Sequence, residues 1–376
     1  MLYESLVEWC IYANGALMTL LSQYFDHHGF SALQIGMLMA VGPIVSLVAN
    51  PFWLQVKQRL GSKRTIGILT LTSGLLVWTI FAVTSFRLTL MSLLLVIFFM
   101  ASVVPIAEAH VMASLMKKGQ SFDYPRMWGT IGYTCTAFIA GFLFRISFVA
   151  LFMGVSLALL LAFAFSLKLN PAAPNTGVAR KTSGTGQWGI FLGMLGIAST
   201  VTALTSFGPA FVPRLISQRG YDVATAGTCF AVMAFAEVPF LSFAGKILKK
   251  IGNFPLLVSG VFMTGLRTFL TPESTSPTTL ALVHLLSGWN YIVIYYALWN
   301  YIHYHLPESQ SVKAQTLMWM ALGIGGLAGT FGGGYLVESF GLVKTFHLLG
   351  LGLMLFAIPL FMGSAVFKAK PKLLNA

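Results

Sequence analysis

Polar side chains are sparse along most of the chain, and apolar residues run on in stretches of about 20 to 30, the length that crosses a bilayer as a helix. Twelve such helices are predicted. Six lie at 5–26, 33–55, 65–86, 88–116, 127–145 and 147–167. Six more lie at 188–213, 223–247, 253–271, 278–303, 314–336 and 341–367. Short polar turns separate them, with one exception. Residues 169–187 are rich in Pro, Gly, Ser and Thr and carry Arg180-Lys181, the composition of a linker. The expected organisation is a six-helix bundle over 1–168, a cytoplasmic linker over 169–187 and a second six-helix bundle over 188–376. The first apolar stretch carries Glu4 and Glu8 and has neither a basic leader nor a small-residue cleavage site, so it reads as a span and not a signal peptide.

Composition narrows the class. The chain is 57% hydrophobic and 9% charged, with mean hydropathy +0.81, which excludes a soluble domain and indicates an all-α, multi-pass membrane protein. Its net charge of +13 would suit nucleic acid, but the basic residues lie where the positive-inside rule puts them. With the chain starting inside, all but six of the 23 Lys and Arg fall on the cytoplasmic side. The six are Arg87, Arg145, Arg214, Arg219, Arg267 and Lys344. Both termini are therefore expected in the cytoplasm, the lipid bilayer is the partner, and no nucleic acid is expected. Cys10, Cys135 and Cys229 lie in apolar segments with no ligand spacing and read as small core residues. His27-His28 follow Asp26 without a third ligand, so no metal site is expected.

The chain repeats at an offset of 191 residues. Gly29-Phe30 through Gly36 matches Gly220-Tyr221 through Gly227, and Arg59-Leu60-Gly61 matches Lys250-Ile251-Gly252. Trp128, Gly132 and Gly141 match Trp319, Gly323 and Gly332. Three groups at one offset, in order, imply two related halves. With an even number of spans each, the halves run parallel, and the solute path is expected between them near the midplane.

Chemistry concentrates in two places. Between Pro105 and Tyr133, Glu108 ends one span and Arg126 opens the next. A charge there is costly unless paired or facing a water-filled cavity. A carboxylate and a guanidinium also bind vicinal hydroxyls, and an aromatic such as Trp128 or Tyr133 can cover a sugar face. Arg126 could equally hold a carboxylate, and a purely structural Glu108–Arg126 pair stays open. In the second half, Glu237-Val238-Pro239 sits inside an apolar span, with Arg267 and His284 in the next two. Asn290 is a candidate for lining the cavity.

These residues also carry a family resemblance. The loop Leu54 to Arg64, with Gln58, Arg59, Gly61 and Arg64, resembles the signature loop of the major facilitator superfamily, with Leu54 and Gln58 in place of its glycine and aspartate. Gly245 through Lys249, Lys250 and Gly252 is the second copy. Such loops imply gating roles for Arg59, Gly61, Arg64, Lys249 and Gly252. The run Pro105-x-x-Glu108-Ala109, then Arg126-Met127-Trp128-Gly129, resembles the lactose permease group of oligosaccharide, nucleoside and phenylpropionate proton symporters. That resemblance implies solute-binding roles for Glu108, Arg126 and Tyr133 and proton-coupling roles for Arg267 and His284. It also expects a glutamate where Ser287 stands, so Glu237 is taken as the proton carrier.

The function expected is proton-coupled symport of a small hydroxylated solute, a sugar or glycoside, by alternating access. The protein is expected to be monomeric, without a cofactor beyond the proton, in a bacterial inner membrane. Competing readings are an aromatic-acid or nucleoside symporter, a drug exporter and a non-transporting receptor. No phosphate loop, nucleophile elbow or zinc motif supports an enzyme.

Overall fold

The structure, a computed structural model, describes residues 2–116, 123–169, 188–306 and 308–364. Its elements are all helical. In the first part they are α1 Leu2–Met18, α2 Leu21–His27, α3 Ala32–Leu60, α4 Ser62–Leu76, α5 Trp78–Phe81, α6 Phe86–Met100, α7 Val103–Met116, α8 Asp123–Ile146 and α9 Phe148–Ser166. Then come α10 Trp188–Thr205, α11 Phe207–Gln218, α12 Ala224–Ile251, α13 Asn253–Leu270 and α14 Pro277–Leu285. A 3₁₀ turn, Leu286–Trp289, leads into α15 Tyr291–His305, α16 Glu308–Phe340 and α17 Leu342–Ser364. Residues 170–187 of the expected linker lie outside the described residues.

Among the described residues, ten helical segments are long and apolar enough to cross a membrane, and they overlap ten of the twelve expected spans. The other two expected spans are helical as α1 with α2 and as α13. Large apolar side chains stand exposed on the helix faces, as at Val48, Met91, Leu157, Leu282 and Met362. On a water-soluble protein such a surface would aggregate; in a bilayer it is the lipid contact.

Several expected spans are interrupted. The first breaks between α1 and α2, the fourth between α6 and α7, the seventh between α10 and α11, and the tenth at the 3₁₀ turn. The third is interrupted at Val77. In hydrocarbon a helix break is tolerated only where protein or a polar cavity satisfies the freed backbone.

The 191-residue repeat is visible in the turns. Gly29, Gly61, Gly220 and Gly252 all have positive φ. The Phe30 amide donates to the Phe25 carbonyl and the Tyr221 amide to that of Ile216. Gly61 donates to Lys57 and Gly252 to Leu248, so the two expected gating glycines close their helices identically. At φ of 80° and 86°, Gly61 and Gly252 occupy a backbone region where a side chain is strained. Ser85 and Ser276, one repeat apart, both cap helices.

The contacts divide the chain into two compact units. One comprises Met1–Gly177 with Pro209–Ala231, the other Val178–Gly208 with Val232–Ala376. In the first unit α8 lies tight on α1: a side-chain carbon on Gly132 would sit 2.8 Å from the Trp9 carbonyl oxygen, and one on Gly129 would sit 2.7 Å from the Tyr12 ring. The 209–231 segment joins that unit through Arg214–Asp26 at 3.4 Å and Arg145–Asp222 at 3.2 Å. Its Gly227 rests against the backbone of Ala137 and Gly141. In the second unit α13 packs against α17, where Gly265 meets the Gly350 carbonyl, and Gly325 and Gly329 bring α16 onto α10. The packing glycines do not follow the repeat. Gly132 and Gly141 are in close contact, while their counterparts Gly323 and Gly332 have nothing within 4 Å.

Replacing Gly141 by Leu would drive a side chain into the Ala224 backbone, 2.7 Å from the first added carbon, and is expected to cost about 1–3 kcal/mol. Gly332→Ala meets open space and is expected to be neutral or to stabilise by up to about 1 kcal/mol through helix propensity. Thermal unfolding of the purified protein in detergent checks both; equal shifts at the two positions would refute the asymmetry.

Candidate functional site

Each unit holds a polar cluster inside apolar helices. In the first unit the cluster begins on α1. Glu4, Glu8 and Tyr12 recur every four residues, a spacing that puts them on one helix face. Glu4 is 2% exposed and Glu8 is fully buried. Helix α7 answers them: Ser114 Oγ donates to Glu4 Oε1 at 3.3 Å, and the Tyr12 hydroxyl donates to Glu108. The two contacts run in opposite order along the helices, so α1 and α7 are antiparallel. Buried His110 on α7 is hydrogen-bonded through Nδ1 to Ser62 Oγ at 2.6 Å, and Ser102 donates to Asn50 at 2.8 Å. These donors meet groups that hydrocarbon would otherwise leave unsatisfied.

Helix α8 supplies the aromatic side of this cluster. The Trp128 and Trp9 rings lie 5.8 Å apart, and Tyr133 borders Gly15 of α1. Trp128 and Tyr133 are both half-buried. Tyr12 touches Glu108 on one side and the Gly129 backbone on the other, so it ties the acid of α7 to the helix that bears Arg126. Arg126 lies just under one turn before Gly129 on α8; its side chain, and with it the expected Glu108–Arg126 pair, lies outside the described residues.

The second unit's cluster centres on the tenth span. His284 is fully buried in the last turn of α14, and its Nδ1 donates to the Leu280 carbonyl at 2.8 Å. The chain then tightens into the 3₁₀ turn and restarts as α15 after Asn290, itself 4% exposed. Half-buried Arg267 on α13 is near enough for its charge to act on His284. The turn is pinned on two sides. Gly288 abuts the Ala236 carbonyl of α12, and the Trp289 indole donates to Ser259 of α13 at 2.9 Å. Half-buried Glu237 is the residue after that Ala236 contact, one turn from the ring of Phe240 that packs on Trp289 at 5.4 Å. The structure thus gathers Arg267, His284 and Asn290 at one break and puts Glu237 on the neighbouring helix.

Two groups of residues escaped the sequence reading. Glu4 and Glu8 look like ordinary acids at a positive helix end. Their four-residue spacing on an otherwise apolar face was the signal for burial. Tyr12 gave no signal of its own, because its role depends on α7 lying opposite.

The profile of the MFS_1 like family matches residues 11–348. The chain belongs to this major facilitator family. The maltose permease of Geobacillus stearothermophilus is 25% identical over 338 residues, covering 87% of this chain and 85% of the permease. The transporter YwbF of Bacillus subtilis is 22% identical over 351 residues, covering 90% and 86%. Among solved structures, that of the nucleoside transporter NupG superposes with a TM-score of 0.77 over 98% of both chains at 18% identity. A bacterial homologue of the lysosomal transporter Spinster, inward-facing and occupied, gives 0.74 at 13% identity, over all of this chain and 98% of its own. These two likenesses establish the fold. The protein is a major facilitator transporter, multi-pass in the plasma membrane as its bacterial relatives imply.

Tyr12→Phe removes the hydroxyl that donates to Glu108. It is expected to lower stability by about 1 kcal/mol, the net worth of one hydrogen bond to a half-buried carboxyl group. A thermal-shift comparison with Tyr3→Phe, at an exposed position, reads this directly. Equal melting temperatures for the two would show that the contact carries no weight.

Proposed function

We propose that this transporter moves a small hydroxylated organic solute, a sugar or glycoside, together with a proton by alternating access. The observation that carries the reading is the Tyr12–Glu108 contact, set beside the half-buried Trp128 and Tyr133 on α8. A carboxylate held next to aromatic faces is what a sugar ring requires: acceptors for its hydroxyls and a flat apolar surface for its C–H face. Arg126, on the same helix, adds donors in a fork. The kinship with a maltose permease supports the same class of solute.

Glu237 carries the proton in this proposal. Its position inside a span, beside Pro239 and next to the Gly288 contact, puts a titratable group where the tenth span is broken. Arg267 and His284 form its charge-sensitive partner. A proton and a solute that each favour one conformation over the other shift the balance between inward- and outward-open states.

Purified protein in proteoliposomes with clamped internal pH should take up maltose when the outside is acidified. Glu108→Gln is expected to cut that uptake at least tenfold, and so is Arg126→Lys. Glu237→Gln is expected to keep maltose exchange across the membrane and to lose accumulation driven by the pH gradient. Full maltose uptake in all three variants would sink both assignments. Exchange of a labelled nucleoside or aromatic acid in place of any sugar would replace the solute class.

A further inference from the structure

Charge is unevenly spread along the first unit. No Asp or Glu occurs between Asp26 and Glu108, yet Lys57, Arg59, Lys63 and Arg64 crowd the turn from α3 to α4 within that stretch. Gln58, between the first two, is neutral. None of the four cations ion-pairs with an acid among the described residues. Lys63 and Arg64 also lie in the first turn of α4, where the positive helix end disfavours a cation and no acid is present. The protein itself therefore leaves this accumulation of positive charge uncompensated.

Both arms of the turn carry exposed apolar rows that lead to an arginine. On α3, Ile44, Val48 and Phe52 recur every four residues, and Arg59 follows Phe52 by seven, two helical turns along the same face. On α4, Leu75 and Ile68 lead back to Arg64 at spacings of seven and four. All five apolar side chains and both arginines are exposed. In a bilayer such rows lie against acyl chains, and the positive-inside rule sets the arginines at the headgroups of the cytoplasmic leaflet. A guanidinium grips a phosphate with two parallel hydrogen bonds, and Lys57 and Lys63 add point charges. A zwitterionic headgroup would bring its own ammonium to a place that already holds four cations. An anionic phosphodiester brings only the missing charge.

The second copy of the turn lacks this form. Its Lys246, Lys249 and Lys250 all stand on α12, with Lys246 over the Phe243 ring at 5.9 Å. The other arm, α13, opens with Asn253-Phe254-Pro255 and exposes no side chain before Phe262.

We propose that the α3–α4 turn is a binding site for an anionic phospholipid, its phosphate held by Arg59 and Arg64 and its chains lying along the apolar rows of α3 and α4. A lipid held by both arms ties the turn, whose Arg59, Gly61 and Arg64 are expected to gate, to the charge of the leaflet.

Native mass spectrometry of the purified full chain, titrated with phosphatidylglycerol or phosphatidylcholine, tests it, with melting temperatures measured in parallel. Phosphatidylglycerol is expected to bind more tightly than phosphatidylcholine and to weaken as salt is raised. The Arg59→Gln/Arg64→Gln pair is expected to lose at least about fivefold in affinity, since each cation near an anionic headgroup contributes on the order of a tenfold effect or less. The Lys249→Gln/Lys250→Gln pair, which removes the same charge from the other copy, is expected to change by less than about twofold. Equal losses in the two pairs would mean diffuse charge and overturn the site. Equal binding of the two lipids, or salt-independent binding to the wild type, overturns it whether or not the variants fold. Glycerol phosphate that displaces the lipid at matched concentration would show a free-anion site in which the chains play no part, and overturns the lipid assignment.

Discussion

A polar group inside a bilayer-spanning helix has no water to turn to, so it must find a partner within the protein or in a ligand. The arrangement of both units follows from this constraint. In the first, Glu4 can be buried in α1 because α7 lies antiparallel to it and brings Ser114 to Glu4 and Glu108 to Tyr12. That register in turn requires α8 to lie close on α1, which Gly129 and Gly132 permit. Removing a carboxylate's donors there leaves charge in a low-dielectric interior, so cluster and packing stand or fall together. The aromatic faces of Trp128 and Tyr133 are set by the same close approach.

In the second unit the constraint is met differently. Hydroxyls on α13 bond back to their own helix, which satisfies them and keeps the helix continuous. The tenth span breaks at Leu286–Trp289 and leaves Ser287 Oγ and the Asn290 amide without a hydrogen-bond partner among the described residues. A break of this kind costs helix hydrogen bonds, and here two neighbouring helices hold it. Gly288 lets α12 approach to backbone contact, and Trp289 anchors the turn on α13. The glycine at 288 therefore has a packing reason, and the tryptophan beside it a hydrogen-bonding one.

The membrane fold was legible because apolar length is a one-dimensional property. Span positions, the turn glycines Gly61 and Gly252 and the 191-residue offset could all be read without knowing what touches what. What was not legible depended on pairing between distant segments. Gly132 and Gly323 occupy equivalent places in the sequence, yet only Gly132 meets another backbone. Glu8 looks like a helix-end acid, yet it is fully buried in the folded unit. The interruption at Leu286–Trp289 left no proline as a marker, since Pro277 starts the helix and does not break it. Ser287 was visible as a departure from a family pattern, but its burial without a hydrogen-bond partner among the described residues was not.

The repeat also separates scaffold from chemistry. Turn glycines and helix caps recur one repeat apart, as at Gly29 and Gly220 or Ser85 and Ser276. Of the candidate solute and proton residues only Trp128, matched by Trp319, recurs. At the same offset, Glu108 corresponds to Trp299, Arg126 to Leu317 and Tyr133 to Ile324. In the other direction Glu237 corresponds to Ser46, Arg267 to Leu76, His284 to Leu93, Ser287 to Val96 and Asn290 to Phe99. Turns tolerate little change, because a positive φ or a cap bond fixes the residue type. Interior polar positions are costly in hydrocarbon and are lost to apolar residues wherever nothing selects for them. A polar residue with an apolar counterpart, as all of these but Glu237 have, therefore marks a feature of its own unit. By that reasoning the acid–aromatic cluster of the first unit and the broken tenth span of the second are distinct features and not two copies of one.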